Sequence, residues 1–176
     1  MRIMEMYLGI ANLALLQIYP KLAKDHGADP RTYANSLSAV FRFAYISAAG
    51  IVIFNFAIGE ATVLLLLGPD YEEVARYSTV FCLLAVPLLS GTVRGFAISL
   101  AGSHRNHLYA GLSGFAISIP FLLTLIPSMG FRGALLADAA AYTTSAMLSS
   151  WMLPSLRPIA RIQWLPFPSR RSMARA

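Results

Sequence analysis

Arg94 has the clearest capacity for chemistry of any residue in this sequence. It lies in "VPLLSGTVRGFAISL", an apolar run in which no acidic residue stands within four positions. A guanidinium placed there either snorkels to the headgroup layer or faces a cavity and holds an anionic headgroup or pyrophosphate. Asp138, about a turn and a half into "GALLADAAAY", poses the same choice with opposite charge: it reaches the interface or lines a polar pathway. Arg76 is different, because Glu72 and Glu73 precede it by four and three residues and a first helical turn can neutralise it locally. Asn12 and Gln17, with Asn55, are neutral polar groups in apolar runs, and their ordinary use is hydrogen bonding between helices. Arg94, Asp138, Arg76, Asn12 and Gln17 are therefore the candidates for a substrate pathway.

Other chemistries find little to work with. His104 and His107 in "HRNH" are spaced three apart, but neither they nor His26 has a cysteine or carboxylate to complete a metal shell. Cys82 is the only cysteine, set in "VFCLLAV", which suits a packed membrane helix. The sequence carries no phosphate-cradling loop and no nucleophile elbow. No catalytic residue, metal or cofactor is expected, and an enzyme is the least expected class.

The elements that must position these residues follow from composition. Of 176 residues, 57% are hydrophobic and 12% charged, with a mean hydropathy of +0.60, too apolar for an ordinary soluble domain. The apolar residues gather into runs near the roughly 20 residues that a membrane helix needs. The expected fold is an all-α, polytopic transmembrane bundle over 1–156, with about five spans near 3–19, 43–58, 72–100, 108–126 and 134–153, followed by a flexible basic tail over 157–176. The N-terminus reads as a mature membrane helix, since Glu5, Asn12 and Gln17 interrupt a signal-peptide pattern. Pro20 is expected to end the first span, leaving "KLAKDHGADPRTY" as a loop, and Asp29 to cap a helix beginning at Pro30.

From Phe43 to Leu67 only Glu60 is charged. That run would make about 37 Å of helix, longer than the roughly 30 Å apolar core. Gly59-Glu60 is the expected division, with Ala61–Leu67 lying at the interface. Asp70 and Glu73 fit a capping box at the start of the third span, and Pro87 and Pro120 are expected to kink their helices. Gly91 and Gly95, with three residues between them, give a small face for close helix packing.

The net charge of +6 lacks the basic stripe interleaved with aromatics that nucleic acid would require. The Lys and Arg residues instead cluster between and after the apolar runs. Five spans would put Lys21, Lys24, Arg31, Arg42, Arg105 and the tail arginines on one side, with Arg94 near that end of its helix. Arg2, Arg76 and Arg132 would lie on the other. The basic side is expected to be cytoplasmic, which places the C-terminus inside.

The order "IYPKLAK", "LLLLGPDYEEVARYSTVFCLLAVPLL", a short basic turn and "LIPSMGFRGALLADAAAY" resembles the C-terminal half of the oligosaccharide flippases. These belong to the superfamily of multidrug, oligosaccharidyl-lipid and polysaccharide exporters. "LLGPDY" resembles that family's Phe-Gly-x-x-Tyr turn, with Leu67 where an aromatic is common, and "IPSMGFRGALLA" resembles its Pro-x-x-Gly-x-x-Gly-Ala entry into a late span. The likeness extends over about 150 residues. It implies two related halves around a central cavity, moving lipid-linked oligosaccharide by alternating access in polysaccharide biosynthesis, in the inner (cytoplasmic) membrane. The implied partners are membrane lipids, the lipid-linked oligosaccharide, and a missing N-terminal half or second chain. A truncated or split flippase, a half-transporter and a non-transporting membrane interaction module are all compatible with five spans.

Overall fold

The structure, a computed structural model, describes residues 2–166, apart from the side chains of residues 2–5, 73, 74 and 79. Helix α1 (Arg2–Ala28) and helix α2 (Pro30–Leu67) are separated by Asp29 alone. The Asp29 carboxylate accepts the Thr32 N–H at 3.0 Å, and Pro30 occupies the first helical position. The expected loop after Pro20 is instead helical to Ala28. Pro20 removes one hydrogen bond, yet the helix continues through it, with Leu15 and Leu22 on either side fully buried.

The expected break at Gly59-Glu60 is also absent, because α2 runs for 38 residues without interruption. That is about 57 Å of helix, well beyond an apolar core. Glu60 is exposed while Gly59 is buried beneath the Asn55 side chain. The carboxylate thus stays off the packed face, and an intact helix keeps every backbone group satisfied in apolar surroundings.

A Gly68 turn with φ of 92° and a short 3-10 turn, Pro69–Tyr71, lead into α3 (Glu72–Cys82). The proposed capping box falls partly on Glu73, whose side chain lies outside the described residues. The expected span over 72–100 is present as the membrane-crossing candidate Ala75–Leu100, with a turn at Leu83 and Leu84 between α3 and α4 (Ala85–Leu100). Pro87 explains the position: its ring excludes the Leu83 carbonyl from helical hydrogen bonding. The preceding turn tightens, with N–H donation from Leu83 to Val80, Leu84 to Phe81 and Val86 to Leu83. Helix α5 (His104–Met129) continues through both Pro120 and Pro127.

Gly130, at φ 56°, reverses the chain into α6 (Phe131–Thr143), which packs antiparallel along α5. Gly114 and Gly133 permit this approach, the former against Ser145 and the latter against the Leu125 carbonyl. The path continues through a π segment, Thr144–Leu148, into the short α7 (Ser149–Met152). After a 3-10 turn at Pro154–Leu156 comes α8 (Arg157–Trp164). The stretch expected as a flexible tail therefore begins as a packed helix, with Ala160 and Gln163 fully buried. Residues 167–176 lie outside the described residues.

The fold is all-helical, and no strand occurs among the described residues. Three stretches are long and apolar enough to cross a membrane: Pro30–Leu67, Ala75–Leu100 and His104–Met129. The expected first and fifth spans are present as helices, but neither is among these three. Polar Asn12 and Gln17 and the basic end dilute α1, and Asp138, Thr143, Thr144, Ser145, Ser149 and Ser150 dilute the last path. Within the bundle 56% of the apolar window of Ala75–Leu100 is buried, against 17% for α2 and 11% for α5. Helix α4 is thus central, and α2 and α5 carry large apolar faces outward, as lipid-facing helices do.

Candidate functional site

Central placement decides the environment of Arg94. Its side chain is only 4% exposed, and it points into the bundle rather than toward the rim. The guanidinium donates through one terminal nitrogen to the hydroxyl of Ser149 and, at 3.5 Å, to that of Ser150. Its Nε is buried and without a hydrogen-bond partner among the described residues. No carboxylate among those residues pairs with it; the ion pair they contain joins Arg76 and Glu72 at 3.1 Å on the surface. Arg94 is consequently a buried cation answered by neutral hydroxyls, an arrangement in which an anion would be strongly attracted.

Beside it opens a cleft of about 590 Å³. Helix α4 supplies Pro87, Leu88, Gly91, Thr92 and Arg94; α5 supplies His107, Leu108, Gly111, Leu112 and Phe115; Tyr142, Ser145 and Ala146 close the third side. The walls are mostly apolar, with Thr92, Arg94, His107, Tyr142 and Ser145 as the polar members of the lining. Such a lining suits an amphipathic ligand, with its charged group at the arginine and its apolar portion along α5.

The sequence folds this way through small residues and one helix irregularity. Gly91 lets α4 approach Ala146 of the π segment, where an added Cβ would lie 3.0 Å from the alanine Cβ, and Gly95 faces His107. The small face of "GTVRG" is thus used inside the chain. The π segment carries an extra residue per turn, which rotates Ser149 and Ser150 toward Arg94. π segments recur at functional sites for this reason. Gln163 of α8 braces the arrangement: its amide donates to the Ala146 carbonyl at 2.9 Å, and its side-chain oxygen accepts the Ser150 hydroxyl at 3.3 Å.

The chain matches no known protein family, no curated protein and no solved structure. The geometry of the site therefore has to carry the functional reading.

The other candidates disperse around the cleft. Asn12 accepts a hydrogen bond at 3.0 Å from Thr92, a lining residue, and so ties α1 to α4 one layer behind the wall. Asp138 is part-buried and lies four residues before Tyr142 and seven before Ser145. It shares their helical stripe but sits one turn beyond the cleft lining. Gln17 and Arg76 are exposed and contribute nothing to the site. Ser149, Ser150 and Gln163 were not among the sequence candidates. A signal existed for Gln163, since it falls four residues after Ile159 and thus on the apolar stripe of an otherwise basic helix.

Proposed function

We propose that this chain is a transporting half of a membrane flippase, moving a lipid-linked oligosaccharide across the cytoplasmic membrane by alternating access. The single observation that carries this reading is Arg94, a buried cation without a carboxylate partner among the described residues, beside a 590 Å³ cleft with apolar walls. A lipid pyrophosphate joins an anionic centre to a long apolar chain, and the cleft offers the Arg94 cation within a largely apolar lining. The resemblance of "LLGPDY" and "IPSMGFRGALLA" to flippase turns supports the same substrate class. In this reading α1 and the α6 to α7 path complete five spans, with the basic ends and the C-terminus cytoplasmic. The second lobe comes from an N-terminal half or a second chain.

Transport needs no catalytic residue here. The Arg94 guanidinium attracts and orients the phosphate, and the tight turn before Pro87, its backbone groups held by hydrogen bonds over three residues, supplies a hinge in the central helix. Asp138, on the stripe beyond Tyr142, marks the outward continuation of the path.

The test is translocation of a labelled polyprenyl-linked oligosaccharide in cells lacking their own flippase, with this chain expressed alone and beside a complementary half. Translocation in at least one arrangement is expected. Its loss in Arg94→Ala, with normal membrane insertion, assigns the arginine to the pathway. Failure of the wild-type chain in both arrangements overturns the proposal and favours a non-transporting interaction module.

A further inference from the structure

Helix α8 divides its residues sharply between inside and outside. Ile159 and Ile162 pack against the core, Ala160 and Gln163 are fully buried, and Arg157, Arg161, Trp164 and Leu165 are exposed. Its attachment to α2 fixes its depth: the Tyr45 hydroxyl donates to the Gln163 carbonyl at 2.9 Å and the Ser38 hydroxyl to that of Pro166 at 2.8 Å. These contacts straddle Arg42, the last charged residue before the long apolar run of α2. The helix therefore sits where α2 passes from polar to apolar sequence.

Charge at this end of the bundle is mostly positive. Lys21, Lys24 and Arg31 at the α1–α2 junction and Arg105 at the start of α5 are exposed. Asn106 joins the start of α5 to Ser155, just before α8, at 2.9 Å. The nearby acids are engaged locally, Asp25 by the Ser36 hydroxyl at 2.5 Å and Asp29 as the α2 cap. Among the described residues Arg157 and Arg161 form no ion pair. Two free arginines flanked by an exposed tryptophan and leucine match a surface that is anionic outside and apolar just beneath.

We propose that α8 binds the headgroups of anionic phospholipids, and that Gln163 transmits this attachment to the π segment beside Arg94. The coupling is short. Gln163 belongs to α8, its amide holds the Ala146 carbonyl and its oxygen holds Ser150, which in turn faces Arg94. Seating α8 on the membrane surface thus stabilises the turn that presents the serines to the arginine. The inference rests on the membrane placement of the apolar helices and is independent of transport.

Hydrogen exchange of the full chain in nanodiscs tests it, comparing phosphatidylcholine alone with phosphatidylcholine containing phosphatidylglycerol. Phosphatidylglycerol is expected to slow exchange across 157–165, with each of the two arginines contributing about fivefold, and high salt is expected to remove the effect. The exposed double variant R157Q/R161Q should lose the lipid response without unfolding. Residues 144–152 should gain protection in parallel. Equal exchange in both lipids, or an undiminished response in R157Q/R161Q, would overturn headgroup binding; protection confined to α8 would overturn the coupling.

Discussion

Replacing Ser149 and Ser150 together by alanine is expected to destabilise the bundle by about 3 kcal/mol, the scale for stranding a buried charge without its hydrogen-bond partners. These hydroxyls are the acceptors of the Arg94 guanidinium, whose Nε already lacks a partner among the described residues. The variant leaves the charge in place and takes away its solvation. Adding Arg94→Met to the same variant should restore most of the loss, since an apolar side chain of similar length removes the charge and fills the space. Reversible unfolding in mixed micelles, run as a double-mutant cycle, reads both effects. An additive outcome, with no rescue by methionine, would mean that the serines act through packing alone and that Arg94 is solvated by other means.

The second large effect concerns the α5–α6 hairpin, which contributes to two sides of the cleft. Gly133→Ala is expected to cost about 3 kcal/mol or more. An added Cβ would lie 2.9 Å from the Ile126 nitrogen and closer still to the Leu125 carbonyl. Both obstacles are backbone, so no side chain can rotate away and the helices must separate. Gly111→Ala is the matched control, since nothing lies within 4 Å of a Cβ there and alanine favours the helix by up to about 1 kcal/mol. Unfolding midpoints of the two variants should move in opposite directions. A tolerated alanine at 133 would show that the hairpin shifts freely and that the cleft has no fixed third wall.

How much of this was legible in the sequence depended on the range of the interaction. The Asp29 cap and the Arg76–Glu72 pair are settled within four residues, and side-chain type alone foretold them. Asn12 was readable as an interhelical hydrogen-bonding group, though not its partner Thr92, which lies 80 positions away. Proline was harder. Pro20, Pro87 and Pro120 remove the same hydrogen bond, yet only Pro87 accompanies a break between helices. Burial of the flanking residues does not separate these cases either: Leu84, Ala85 and Leu89 around Pro87 are buried, whereas Ile119 and Phe121 around the uninterrupted Pro120 are exposed.

Arg94 illustrates the same limit. Its isolation from acidic residues was visible in the chain, but snorkelling and cavity-facing orientations share one sequence. The choice was made by Gly91, which draws α4 against Ala146, and by the π segment that turns two serines inward. No local signal marks a π turn in "AYTTSAMLSS". Its brace, Gln163, lies 17 residues from the carbonyl it holds, in a stretch whose basic composition suggested a loose tail. The amphipathic spacing of Ile159, Ile162 and Gln163 carried the contrary message, and burial bears it out.

In the proposed function Arg94 recognises the phosphate of an amphipathic ligand. The most direct measurement is thermal unfolding of the full chain in nanodiscs with a short-chain polyprenyl pyrophosphate, using the corresponding polyprenol as the uncharged control. At about 100 times the dissociation constant the pyrophosphate should stabilise the wild-type chain by roughly 2.7 kcal/mol, while the polyprenol gives no comparable shift and Arg94→Met abolishes the response. An equal shift with polyprenol, or an undiminished pyrophosphate response in Arg94→Met, would contradict the account.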